Sequence, residues 1–328
     1  MPRCFLHLGT YKTGSSSVQL TLDKHRTSLE TLGFLYPRAG IVPELCGHHN
    51  IAWEIAGSPS YDRQHGSIAE LISEISQSRQ DVILSSEDFA LALPLLADFK
   101  SFLERLKQCG LEIAIIIYFR NPADTLRSAY FELLKAGCPV ALGPFISAML
   151  EDQIVRWGNR AAGGVDIVGA LRQLATDKDI SIIARSYDRA RNFLIADFLS
   201  VFGLTLAELG VETEARKNER MMIGGALALF YRNRTGRLPD SREEWLISCL
   251  ADALGGDDIH LSDRAKQMVW VKYEDQRQFL RQYGNGELDI SAQGARDSIA
   301  EWDTAPCLED VFSVATVRFI EHTARKLV

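Results

Sequence analysis

The sequence predicts an α/β fold: a parallel β-sheet flanked by helices, with a mainly helical C-terminal extension. Three observations carry this. Apolar runs of strand length stand at Cys4–Leu8, Asp81–Ser86, Glu112–Phe119 and Ile180–Ala184. Helical patterns at 67–79, 95–109, 122–136 and 192–203 alternate with them. Strands alternating with helices imply a parallel sheet, because parallel neighbours need a crossover connection. Beyond about residue 205 the strand signal fades, and segments 217–235, 241–255, 262–284 and 308–327 read as helices. The expected organisation is an α/β core over 1–210 and a helical region over 211–328, the latter able to pack on the core as one domain.

The length of 328 residues suits one large or two ordinary domains. Apolar residues make up 46% and charged residues 24%, which excludes disordered and collagen-like chains. The net charge of −7 is unevenly spread. Residues 240–310 hold 7 basic and 16 acidic residues, whereas 1–239 hold 26 of each. An anion site fits the N-terminal two thirds, and the sequence has no basic tract of the kind that binds nucleic acid. The strongest apolar stretch, Leu111 to Phe119, is far shorter than the ~18 residues of a membrane span. The first residues read as a structural strand and not as a signal peptide. Cys4, Cys46, Cys109, Cys138, Cys249 and Cys307 form no CxxC pair and suit reduced thiols. These features predict a cytoplasmic protein that binds neither membrane nor nucleic acid.

The first element is the strand at Cys4–Leu8. Gly9-Thr10-Tyr11-Lys12-Thr13-Gly14-Ser15-Ser16-Ser17 follows it, and then Val18, Leu22, His25, Leu29 and Leu32 at helical spacing. Gly33 stands at the helix end, and Phe34-Leu35-Tyr36 reads as a short second strand. Gly9 and Gly14 have the separation of a Walker A loop, but Ser15 stands where that motif demands lysine. The lysine is Lys12, inside the loop. Backbone N–H groups at the helix start can still cradle a phosphate, with Lys12 as a point charge and the serines as donors.

The strand Glu112–Phe119 ends in Arg120-Asn121-Pro122. Asn121 is a good N-cap, Pro122 suits the first helical position, and Asp124 falls in the first turn. Asn121, Thr125 and Ser128 share a helix face, so Arg120 and Ser128 can meet at one anion.

Together, the two segments resemble sulfotransferases that use 3′-phosphoadenosine 5′-phosphosulfate (PAPS). The run His7 to Ser17, with Lys12 before Thr13-Gly14-Ser15-Ser16, looks like that family's 5′-phosphosulfate loop. Arg120 with Ser128 resembles its 3′-phosphate motif. The resemblance implies a P-loop NTPase-like sulfotransferase fold over roughly residues 3–205. It also implies PAPS as cosubstrate, 3′-phosphoadenosine 5′-phosphate (PAP) as product, and a carbohydrate or small-metabolite acceptor. Thr10, Tyr11, Lys12, Thr13, Gly14, Ser15, Ser16, Arg120 and Ser128 would then bind the nucleotide. Lys12 would also act in catalysis.

Glu87 follows the strand Asp81–Ser86, whose carboxyl end is expected beside the loop. Sulfuryl transfer needs a group that takes the acceptor's proton. Glu87 falls where several carbohydrate sulfotransferases carry a catalytic glutamate, with Asp88 as a second candidate. His48 and His49, in a loop before Ile51, are candidates for acceptor contact. Tyr187, after the strand at 180–184, can border the nucleotide. Arg216 and Lys217 loosely resemble the family's late basic loop. A magnesium-dependent P-loop kinase is the alternative, and a silent nucleotide-binding module a further one. The displaced lysine favours a reaction that needs no metal.

Overall fold

Five strands form one all-parallel sheet in the order β2-β3-β1-β4-β7. They are β1 (Arg3–Leu8), β2 (Phe34–Leu35), β3 (Asp81–Ser86), β4 (Glu112–Phe119) and β7 (Ile180–Ser186). The expected mixed α/β class with a helix-flanked parallel sheet is present. This computed structural model describes residues 1–10, 13–151, 155–157, 160–162, 167–211, 222–253, 261–284 and 312–326. Among them no helix is long and apolar enough to cross a membrane.

The sheet is buried on both faces, and period-two alternation assigns each side chain. Leu6 lies between Leu84 of β3 and Ile115 of β4. It joins Cys4, Leu8, Ile113 and Ile117 in one core cluster. That cluster is covered by α4 (Ile68–Ser76), α6 (Leu96–Gln108), α9 (Ile167–Leu174) and the end of α16 (Glu274–Tyr283). Phe5, Ile83, Ala114, Ile116 and Tyr118 point the other way. They pack on α1 (Ser15–Lys24), α2 (Arg26–Thr31), α11 (Leu194–Ser200) and α12 (Leu206–Leu209). Each fully buried Leu or Ile contributes about 1.5–3 kcal/mol relative to exposure, so both helix layers are strongly held.

The apolar stripe read as one first helix is two. α1 stops at Lys24, and His25 joins it to α2. Arg26 turns inward there, bonding to the Tyr36 carbonyl and to Asp23, with its guanidinium 5.0 Å from the Tyr36 ring. A buried arginine needs those partners, and the bend supplies them.

The chain divides into two compact units, and the division differs from a single cut near residue 210. One unit comprises 1–120, 165–218 and 275–288; the other comprises 121–164, 219–274 and 289–328. The second unit is helical. Its core joins α7 (Pro122–Lys135), α8 (Leu142–Leu150), α13 (Ile223–Thr235), α14 (Ser241–Ala253), α15 (Asp263–Lys272) and α17 (Val314–Lys326). It also carries a small antiparallel pair, β5 (Val155–Trp157) and β6 (Arg160–Ala162), which the sequence pattern did not reveal. The expected helix after β4 is therefore real, but its apolar face completes this second core.

Candidate functional site

β1 is the centre of the sheet, and strand order reverses there. The chain runs from β1 outward to β2 and β3, and β4 then joins on the opposite side of β1. Such a reversal leaves a crevice beyond the carboxyl ends of the strands, where ligands settle in parallel α/β sheets.

The loop leaving β1 occupies that position. Gly9 N–H donates to the Ser86 carbonyl at 3.3 Å, and Thr10 Oγ1 donates to the Tyr118 carbonyl at 2.7 Å. The loop's start is thereby fastened to β3 and β4. Thr13 Oγ1 then donates back to the Thr10 carbonyl at 2.8 Å, closing the loop on itself. Gly14 has φ 75° at the N-cap of α1, a left-handed conformation that glycine adopts without strain. The amides of Ser15 and Ser16 open α1 at this end, beside their own hydroxyls, while the Ser17 amide donates to the Gly14 carbonyl at 3.0 Å; N–H groups at a helix start suit an anion. Tyr11 and Lys12 lie outside the described residues.

Both glycines also permit close approach. A methyl group at Gly9 would sit 2.3 Å from Ser15 Oγ and 2.9 Å from Glu87 Cα. One at Gly14 would sit 2.3 Å from Leu194 Cδ2 and 3.5 Å from Tyr187 Cε2. The loop thus touches the ends of both β3 and β7. Glu87 follows β3, half-buried, at the N-cap of α5 (Asp88–Ala92). Tyr187 opens α10 (Tyr187–Ala190) after β7, and the Arg120 guanidinium lies 5.6 Å from its ring centre. Thr10, Thr13, Gly14, Ser15, Glu87, Arg120 and Tyr187 therefore converge on one end of the sheet.

Ser128 lies in α7 of the helical unit, whereas Arg120 belongs to the sheet unit. α7 starts as expected: Asn121 Oδ1 accepts from the Ala123 amide at 2.9 Å, and Pro122 opens the helix. Arg216 and Lys217 lie outside the described residues.

The adjacent histidines part company. His48 is fully buried and both ring nitrogens are engaged. Its Nδ1 accepts from the Ser85 amide at 3.2 Å, and Nε2 stands 3.1 Å from the Pro37 carbonyl. Burial, reinforced by the Arg26 charge, lowers its pKa to about 3. A neutral histidine held by backbone on both sides is a structural part, which corrects the acceptor-contact expectation for His48. His49 opens α3 (His49–Ile55), buried, with Nδ1 2.9 Å from Asp88 Oδ2 and 3.1 Å from Ser86 Oγ. Trp53 Nε1 donates to the same Asp88 oxygen at 2.8 Å.

Asp88 is thus the orienting partner of His49. Sequence reasoning also passed over Gln19, which lies one turn after Ser15 on α1 and is 1% exposed. The signal was available: a glutamine between Val18 and Leu22 on an apolar stripe is a polar group with work to do. Beneath them His7, on β1, bonds Ser85 Oγ through Nδ1 at 2.8 Å. Burial pushes the His7 pKa down to about 3, so it stays neutral.

No family model matches the chain, and no curated protein matches it. One solved structure to which it is similar comes from work on the PezAT chromosomal toxin–antitoxin system of the human pathogen Streptococcus pneumoniae. The two chains are 12% identical over 85% of this chain and 88% of that one. The TM-score is 0.30, a likeness that carries no argument about fold or function.

Proposed function

We propose that this chain is a sulfotransferase that moves a sulfuryl group from PAPS to a hydroxyl of a carbohydrate or small-metabolite acceptor. The observation that carries the reading is the closed loop between β1 and α1 with Glu87 packed against its first glycine. An anion cradle and a carboxylate meet within one crevice, and sulfuryl transfer requires both. The sheet order, with the loop strand at its centre, supports a P-loop-like sulfotransferase fold.

In this reading the amides of Ser15 and Ser16, with Lys12, hold the 5′-phosphate that departs. Glu87 takes the acceptor's hydroxyl proton as its oxygen attacks sulfur in line with that phosphate. The bond from sulfur to the phosphate oxygen breaks, and negative charge develops on PAP beside the helix N-terminus. Arg120, steadied on Tyr187, offers a guanidinium to a second phosphate. Mere nucleotide storage would not need a carboxylate at the loop.

Calorimetric titration tests the assignment. PAP is expected to bind at least tenfold more tightly than AMP or ATP, the lower end of what one charged hydrogen bond to a 3′-phosphate contributes. Equal affinity for AMP and PAP removes PAPS as cosubstrate. Turnover is expected to persist in EDTA; loss on chelation and recovery with magnesium would favour a P-loop kinase.

A further inference from the structure

Among the buried nitrogens beside this crevice, Nε2 of His49 and the amide Nε2 of Gln19 have no hydrogen-bond partner among the described residues. The residues are 2% and 1% exposed. Both crowd the same glycine. A methyl group at Gly47 would lie 2.8 Å from Gln19 Cδ, 2.9 Å from His49 Nε2 and 3.0 Å from the Ser85 carbonyl. A buried polar group normally has a partner, and leaving one bare costs about 1–3 kcal/mol. Two bare groups of neighbouring side chains therefore need one explanation.

Their chemistry is complementary. The Asp88 carboxylate can only accept, so the proton of a neutral His49 sits on Nδ1, which faces Asp88 Oδ2 at 2.9 Å. Nε2 is then a lone-pair acceptor. Gln19 Nε2 offers N–H donors. His48 is wired the opposite way: Ser85 N–H occupies its Nδ1, so its proton is on Nε2 toward Pro37. The adjacent histidines thus hold opposite tautomers, and only His49 presents a bare acceptor.

We propose that His49 Nε2 and Gln19 Nε2 form a binding site for one hydroxyl oxygen, which donates its proton to His49 and accepts from Gln19. A hydroxyl is the smallest group that does both at once. A protonated amine, which only donates, or a carbonyl, which only accepts, would leave one of the two protein groups unmatched. The oxygen comes from a resident water or from a hydroxylic acceptor. The second source rests on the sulfotransferase reading, and the site itself does not. Asp88 is the positioning residue: Trp53 fixes its carboxyl group, its backbone amide donates to the Ser86 hydroxyl, and the carboxylate fixes the imidazole.

The test combines crystallography and nitrogen NMR on the full chain. Crystals grown without polyols, and crystals soaked in glycerol as a hydroxylic probe, are compared. Oxygen density within about 3.2 Å of both nitrogens is expected. Density already present without polyol identifies water, and density only after glycerol identifies an acceptor-type hydroxyl. Gln19→Leu should lose it. Absence in both crystals, or direct contact between the amide and the imidazole, overturns the proposal. Long-range proton–nitrogen correlation on histidine-labelled protein should show His49 protonated at Nδ1 and His48 at Nε2. A proton on His49 Nε2 at neutral pH overturns the proposal without any variant. PAP calorimetry on the same sample separates the two readings: no PAP binding with the oxygen in place would sink the sulfotransferase assignment alone.

Discussion

The sheet unit and the helical unit both bury polar side chains, and they finish the job differently. In the helical unit Glu243 is 3% exposed and every oxygen is used. Tyr231 OH donates to Oε1 at 2.5 Å, Arg237 forks onto both oxygens at 2.6 and 2.7 Å, and the Asp240 amide donates at 2.8 Å. Hydrogen bonds from Arg237, ahead of those from Tyr231 and Asp240, hold its pKa down at about 2. In the sheet unit His7, Gln19 and His49 are just as deeply buried, yet each keeps a nitrogen without a partner among the described residues. A charge that is fully satisfied is a clasp between a helix end and the next helix. Groups left partly open, below the loop between β1 and α1, mark where the molecule expects company.

The largest expected effect is at Glu87. Glu87→Gln should lower turnover by roughly 10²–10⁴ with little change in PAP affinity, the usual reach of general-base catalysis. Unchanged turnover would take the carboxylate out of the reaction and move attention to His49.

Glu243→Gln should instead act on stability. The variant loses a charge-assisted acceptor whose partner Arg237 is half-exposed, a cost of about 1.5–3 kcal/mol, read as a lower unfolding midpoint, while PAP binding persists. A variant that binds PAP poorly but unfolds normally would erase the contrast between the two units.

Acid separates them next. His7 and His48 have folded pKa values near 3 against an ordinary 6.5, so the unfolded chain binds more protons between those limits. Their contribution is complete above about pH 6.5 and shrinks as the pH falls toward 3, on the order of 3 kcal/mol per pH unit for the pair. Glu243, lowered from 4.5 to about 2, keeps its share until the pH drops below about 4.5. Urea unfolding between pH 6.5 and 5 should therefore show a steep slope that His7→Phe reduces by about one proton. An unchanged slope would mean His7 is charged in the fold.

The smallest effect is expected at Tyr187. Tyr187→Leu removes the ring beneath Arg120, an interaction of about 0.5–1 kcal/mol when exposed, and should weaken PAP binding a few-fold by calorimetry. No change would place the end of β7 outside the site.

Much of the sheet unit was legible in the sequence, and for a local reason. β3 and β4 keep the expected bounds Asp81–Ser86 and Glu112–Phe119, because a strand buried on both faces shows as a continuous apolar run. The second unit was not legible as a unit. Leu126, Tyr130 and Leu134 declare that α7 has an apolar face, but nothing local says what covers it; the partners are Phe230 and Phe312, some hundred residues or more away in sequence. That Glu87 would lie beside the first loop could be read because both follow neighbouring strands, β3 and β1. His48 and His49 could not be told apart, since their roles are decided by Pro37, Ser85 and Asp88 on other segments. Gln19 gains its meaning only when α1 lies against the turn at Gly47.

Trp53 turns one of these contacts into an optical reporter. Its indole N–H is bonded to the same Asp88 oxygen that orients His49, and the chain has five tryptophans in all. Indole emission shifts in colour and yield when a hydrogen-bonded carboxylate is neutralised or displaced. The wiring of a site that is otherwise silent to light is therefore written into the fluorescence of a residue that need not touch any ligand.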